Sequence, residues 1–168
     1  MTHSSEPDYV LKDGKLDLNA AVRDLTERMS EMSRAVERLN RSLTGAFIAS
    51  LFVDRPWLAS FRLSIERSHE FDDSGGTYRC YRSTVSEVVG VDAARIPVEL
   101  GEQGALDEVL AAADLEEAIE CHEWNFFECG RGQGDATVTL TFRRCDLAHL
   151  LDLPEIEGTA ACAALAVD

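Results

Sequence analysis

A run of apolar residues spaced alternately four and three apart dominates the N-terminal part of this chain. In heptad notation the run consists of Leu18, Val22, Leu25, Met29, Met32, Val36, Leu39 and Leu43. The a positions begin at Val22 and the d positions begin at Leu18. A repeat of about 3.5 residues is typical of a helix that packs along a seam with other helices. The sequence therefore predicts one long amphipathic helix, and we assign these residues to an oligomer interface.

The positions that flank this seam are almost all uncharged. Position e holds Asn19, Thr26, Ser33 and Asn40, and position g holds Ala21, Arg28, Ala35 and Ser42. A two-stranded coiled coil usually carries complementary charges at these positions. We therefore expect a homo-oligomer of three or more chains rather than a dimer. The alternative is an ordinary amphipathic helix that docks on its own domain.

The net charge narrows the choice of partners. The chain carries 31 acidic and 16 basic residues, for a formal net charge of -15. This excess argues against direct binding to nucleic acid phosphates and to anionic membranes. Most of it lies between residues 87 and 135, where we predict a partner-binding acidic face made of Glu108, Glu116, Glu117, Glu120 and Glu123. The alternative is a solvated face that only maintains solubility.

Neither a membrane span nor a secretory segment is expected. No apolar run approaches the roughly 20 residues that a spanning helix needs, and the N-terminus is polar. We therefore expect a cytoplasmic protein. The five cysteines are irregularly spaced, which is unlike a secreted disulfide framework.

Metal binding is the main chemical alternative. Cys121, Cys129, Cys145 and His149 fall in one region, and zinc prefers such ligands. The paired C-x-x-C motifs of common zinc modules are absent, so we expect neither metal nor cofactor.

The chain divides into four predicted segments. Residues 1–17 form a flexible arm or a short hairpin, because Asp13-Gly14 favours a tight turn. Residues 18–54 form the long oligomerisation helix, which must end before Pro56. Residues 55–158 form the body, and residues 159–168 form an apolar C-terminal tail that packs back or joins an interface.

Alternating apolar residues predict the strands of the body. Segments 61–66 and 77–85 form one hairpin, and segments 121–129 and 136–143 form a second around the glycine-rich residues 130–135. An acidic helix over 104–119 buries Leu106, Val109, Leu110 and Leu115, and a short helix covers 145–151. The predicted fold class is α+β, with a long N-terminal amphipathic heptad helix followed by a small antiparallel-hairpin body with one or two helices.

These features favour a non-enzymatic function. We expect an oligomeric protein-interaction module that presents its acidic body to a protein partner. The most concrete version is an inhibitor of a basic, nucleic-acid-binding protein, such as a phage-encoded anti-defence factor. In size, acidity and lack of motifs the chain resembles small phage-encoded inhibitors and bacterial accessory proteins, although this compositional resemblance covers no motif.

Two other functional classes stay open. One is a small-molecule-binding or enzymatic domain with an aromatic-lined pocket around Trp57, Tyr78, Tyr81 and Trp124. The other is a cytoplasmic accessory or adaptor subunit of a larger complex.

Overall fold

The fold is α+β, as predicted. The computed structural model describes residues 6–91, 96–102, 105–130 and 135–165. The helices are α1 (Ala20–Asp54), α2 (Glu108–Ile119), α3 (Glu123–Gly130), α4 (Arg144–Leu151) and α5 (Gly158–Ala164). The strands are β1 (Tyr9–Lys12), β2 (Lys15–Leu18), β3 (Leu58–Phe71), β4 (Thr77–Gly90), β5 (Gly101–Glu102), β6 (Ala105–Leu106) and β7 (Thr137–Arg143). The chain separates into two compact units, Met1–Leu39 and Asn40–Asp168.

The first unit holds an antiparallel hairpin and the N-terminal part of α1. Strands β1 and β2 meet at Asp13 and Gly14, whose φ angles of 50° and 75° belong to the left-handed region that a two-residue hairpin turn requires. The side-chain oxygen of Asn19 accepts the N–H of Val22 at 2.9 Å and caps α1. The arm predicted for residues 1–17 therefore contains a hairpin.

The second unit is built on a three-stranded antiparallel sheet in the order β4-β3-β7. Leu63 of β3 lies between Val85 of β4 and Leu140 of β7, and all three side chains are buried. Ser64, the next residue of β3, lies between exposed Thr84 and exposed Thr139 on the opposite face. This alternation is typical of an antiparallel sheet with one face on the core and one in water.

The helices supply the other side of the core. Their buried side chains are Ile48, Leu51 and Phe52 of α1, Ala111, Leu115 and Ile119 of α2, Phe126 and Phe127 of α3, Leu147 and Leu150 of α4, and Ala161 of α5. A chain of aromatic contacts joins them to the sheet, with Phe61 5.2 Å and Phe126 5.9 Å from Phe142, measured between ring centroids. Such tilted and edge-on pairs are favourable arrangements of aromatic rings.

The described part of the segment predicted as an apolar tail, residues 159–165, packs back on the body. A Cβ atom added to Gly45 of α1 would lie 2.1 Å from the carbonyl oxygen of Gly158 in α5. The two backbones therefore touch, and only glycine fits at this crossing. Ala161 and Leu165 are buried beside it.

Two sequence predictions about the body were wrong. Segment 121–129 is mainly helical, and β7 pairs with β3 instead of with this segment. Phe126 and Phe127 are adjacent and both buried, which suits the wide apolar side of a helix better than the alternation of a strand. Of the predicted glycine-rich turn, residues 131–134 lie outside the described residues.

The acidic helix starts later than predicted, and its buried side includes Leu115, as predicted, but neither Val109 nor Leu110. The carboxylate of Asp107 accepts the N–H groups of Val109 and Leu110, so it caps α2 at Glu108. Val109 and Leu110 are 78% and 47% exposed. The residues of α2 that enter the core are Ala111, Leu115 and Ile119, because this side of the helix lies against β4.

The remaining predicted elements are confirmed, and the hairpin of β3 and β4 is longer than expected. The hairpin of β3 and β4 extends from Leu58 to Gly90, and the short helix near residue 145 is α4. Among the described residues, no helix is both long and apolar enough to cross a membrane.

Arg144 ties the end of α1 to the start of β3. Its Nε donates to the carbonyl of Leu58 at 2.6 Å, and its Nη2 donates to the carbonyls of Arg55, at 2.7 Å, and Phe52. The last carbonyls of a helix have no partner within the helix, so this guanidinium satisfies groups that would otherwise be unpaired and partly buried.

Replacing Arg144 with Ala should lower the free energy of unfolding by about 3 kcal/mol, because buried acceptors lose a charged donor. The adjacent Arg143 is exposed, and Arg143→Ala should change the stability by less than about 0.5 kcal/mol. Urea unfolding followed by tryptophan fluorescence measures both. Equal stabilities of the two variants would contradict this role.

Candidate functional site

The seam predicted from the heptad is largely exposed. Six of its residues, Leu25, Met29, Met32, Val36, Leu39 and Leu43, have exposed fractions from 43% to 71%. Leu18 and Val22 at its N-terminal end are half-buried. In the described part of the first unit, residues 6–39, no residue is buried. We refer to the eight residues from Leu18 to Leu43 as the heptad stripe.

The body packs on a different side of α1. Thr44, Ile48, Leu51 and Phe52 point into the core. With about 100° of rotation per residue, the centre of the side formed by these four residues lies roughly 125° around the helix from Leu43. Leu43 is the last residue of the heptad stripe. It is exposed, although it immediately precedes buried Thr44. The core of the second unit therefore leaves the stripe uncovered at this point.

Two flanking positions are occupied by the body. Asn40 at position e donates to the carbonyl of Asn125 at 3.2 Å, and Cys129 donates to the hydroxyl of Thr44 at 3.2 Å. Ser42 at position g lies against Gly158, since a Cβ atom there would be 1.9 Å from the Ser42 carbonyl oxygen. The open part of the flanks therefore ends near Leu39.

The flanks between residues 20 and 39 stay largely free of charge. Arg28 is the one charged residue at positions e and g, and its guanidinium forms an ion pair with Asp24 one turn earlier. Asp24 occupies a c position, away from the seam. The charge of Arg28 is therefore drawn away from the heptad stripe.

The hairpin carries an apolar face that sequence reasoning did not treat as functional. Tyr9 is opposite Leu18, and Leu11 is opposite Leu16, so all four side chains share one face. Leu11 and Leu16 are 77% and 75% exposed. The signal in the sequence is the alternation of apolar residues on both sides of Asp13-Gly14. We refer to these four residues as the hairpin face.

The predicted acidic face is divided by the structure. Glu108, Glu117 and Glu120 are exposed. Glu116 and Glu123 are half-buried, and each accepts a backbone N–H of the edge strand β4, from Val85 at 2.8 Å and from Ser83 at 2.6 Å. These two carboxylates bind backbone N–H groups of β4 that could otherwise pair with another strand. The sequence did not indicate this role.

The predicted aromatic pocket residues do not converge. Trp57 is buried in the core and Trp124 is 46% exposed on α3. Tyr78 and Tyr81 face opposite sides of β4, since Tyr78 donates to Glu70 at 3.2 Å and Tyr81 contacts Phe127, 5.3 Å away between ring centroids. This arrangement gives the small-molecule alternative no support.

The cysteine and histidine side chains singled out by the sequence are also dispersed. Cys121, Cys145 and His149 are exposed, whereas Cys129 is half-buried against α1. Nowhere in the ranges that the structure describes do three or more Cys, His, Asp or Glu side chains come close enough to hold a metal ion. All five cysteines are free thiols.

Thiol reactivity should separate the cysteines by environment. Burial raises the pKa of Cys129 and that of Cys162 above the usual range. Because the thiolate is the reactive form, a raised pKa leaves less of it near about pH 8. We expect Cys121 and Cys145 to react first with a thiol reagent, and Cys80, Cys129 and Cys162, whose pKa values are raised, to follow slowly. A fast phase that persists in the Cys121→Ser, Cys145→Ser double variant would contradict this order.

No protein-family model, no curated protein and no solved structure matches this chain.

Proposed function

We propose that this protein is a non-enzymatic protein-interaction module that self-associates through the heptad stripe of α1. The observation that carries the proposal is that α1 has two apolar sides and that the body of this chain covers only one of them. The stripe leaves six large apolar side chains exposed. Exposed apolar surfaces of this kind mark interaction sites in soluble proteins.

The energetics of the first unit support the proposal. The segment of α1 from Ala20 to Leu39 has no buried residue, whereas most of the stability of helices in proteins comes from packing of an amphipathic face. Each apolar side chain that becomes fully buried contributes about 1.5–3 kcal/mol. Association along the stripe would therefore stabilise a segment that gains little from the monomer.

The flanking residues favour three or more helices in the bundle. Uncharged flanks widen the surface that helices can bury, and the only charge among them, Arg28, is paired with Asp24. A two-stranded coiled coil would instead benefit from charged pairs at these positions. We infer a trimer or a larger bundle.

In this proposal the body recognises a second protein. The exposed side of α2 begins with Val109, Leu110 and Ala113 and continues to Glu117 and Glu120. An apolar patch beside carboxylates fits a partner with both apolar and basic groups. The inhibitor of a basic, nucleic-acid-binding protein, acting in the cytoplasm where its free thiols stay reduced, is the specific form that we propose.

Glutamate substitutions in the stripe should dissociate the assembly. Wild-type protein should have at least three times the chain mass of 18.5 kDa by gel filtration with light scattering. Leu25→Glu with Met32→Glu should produce a monomer, because burying a charge in an apolar seam is costly. The helical circular dichroism signal should fall, and urea unfolding of the body should be unchanged.

The matched control adds the same charge on the outer side of the helix. Ser30→Glu with Arg34→Gln also lowers the net charge by two, at the b and f positions, and should leave the mass unchanged. A wild-type monomer at all concentrations would overturn the proposal, as would an assembly that both double variants retain.

Partner binding should depend on the exposed carboxylates. In capture from a host lysate, Glu117→Gln with Glu120→Gln should lose a basic protein that the wild type retains at low salt, because a long-range attraction between charges is removed. Glu155→Gln with Glu157→Gln removes two other exposed carboxylates and should retain it. Equal capture by all three proteins at low salt would argue against an acidic recognition surface. Glu116 and Glu123 are left intact because they bind β4.

A further inference from the structure

We propose that the hairpin face forms a second part of the self-association surface, covered in the assembly by the hairpin faces of neighbouring copies of this chain. The inference rests on the self-association proposed above and adds a separate set of contacts to it. The hairpin face consists of Tyr9, Leu11, Leu16 and Leu18, which the strand register places on one side.

The two sides of the hairpin differ sharply in chemistry. Opposite the hairpin face lie Val10, Lys12, Lys15 and Asp17, which keep that side in water. On the hairpin face, Tyr9, Leu11 and Leu16 are between 64% and 77% exposed. An isolated two-stranded hairpin is at best marginally stable in water. This hairpin therefore needs a surface against which its apolar side can pack.

The hairpin is fixed to the start of α1 by polar contacts. The backbone N–H of Asn19 donates to the carbonyl of Asp8 at 3.1 Å, and its side-chain amide donates to the carbonyl of Glu6 at 2.8 Å. Arg23 donates to both carboxylate oxygens of Asp17, and this interaction holds the pKa of Asp17 below its usual value. These contacts pre-organise the hairpin, which lowers the entropic cost of binding.

Continuity with the heptad stripe identifies the occupant. Leu18 is the last residue of the hairpin face and the first residue of the stripe, and both Leu18 and Val22 are half-buried where the two surfaces meet. In a parallel bundle, association along the stripe brings all hairpins to the same end. Their effective concentration there reaches the millimolar range. The hairpin faces would then close the N-terminal end of the bundle with an apolar cluster.

The test replaces the two most exposed leucines without adding charge. Leu11→Thr with Leu16→Thr keeps a high strand propensity and removes the apolar surface. We expect the dissociation constant of the assembly to rise by about tenfold or more, since each buried leucine contributes strongly. Val10→Thr, on the other side of the same strand, is the matched control and should change it by less than about twofold.

A second variant tests the hairpin itself. Gly14 has φ +75° and a Cβ atom there would meet nothing within 4 Å, so Gly14→Val acts only through backbone conformation. It should open the hairpin and weaken association, with the four apolar residues unchanged. Amide hydrogen exchange of Val10 and Asp17, whose N–H groups face the partner strand, should be slow in the wild-type assembly and fast in this variant.

The outcomes separate this inference from the proposed function. A monomeric wild type overturns both. An assembly that Leu25→Glu with Met32→Glu dissociates, but that Leu11→Thr with Leu16→Thr leaves as tight as the wild type, overturns the hairpin inference alone. An assembly weakened equally by Val10→Thr would also overturn it, because the effect would then not belong to the hairpin face.

Discussion

The second unit depends on the packing of the C-terminal part of α1 against the sheet. Ile48 and Phe52 enter the core beside β3, and Gly45 lets α5 approach to backbone contact. Arg144 then holds the final carbonyls of the helix and the first residue of the sheet with one guanidinium. Within the second unit, Leu43 at the end of the heptad stripe stays exposed beside buried Thr44. The proposed assembly rests on the exposed residues of this stripe.

The acidic residues also have more than one role. Asp114 pairs with Arg55 at 2.6 Å and so links α2 to the end of α1. Glu116 and Glu123 bind the outer N–H groups of β4. Carboxylates therefore stabilise the fold at three points, where they lie close to donors. The charge available to a partner is smaller than the composition indicates, and it lies beside the exposed apolar residues Val109 and Leu110.

Much of the fold could be predicted from short-range patterns. The heptad spacing predicted α1, Asp13-Gly14 predicted the turn of the first hairpin, and alternation predicted β3, β4 and β7. The failures have a common physical origin. Segment 121–129 is rich in aromatic residues, which have high strand propensity, but Phe126 and Phe127 pack together from a helix. Likewise Val109 and Leu110 are apolar, but α2 packs on β4 with its other side, so both stay exposed.

The sequence by itself determined the long helix, its apolar stripe, its uncharged flanks and the turn before it, because these depend on residue spacing and local backbone preference. Only the tertiary structure decided which side of that helix the body covers, since this depends on the shape of a core assembled from distant residues. It also decided that Glu116 and Glu123 bind an edge strand and that the four residues of the hairpin face lie on one side. Spacing along the chain gives the period of a surface, whereas packing decides whether that surface stays exposed.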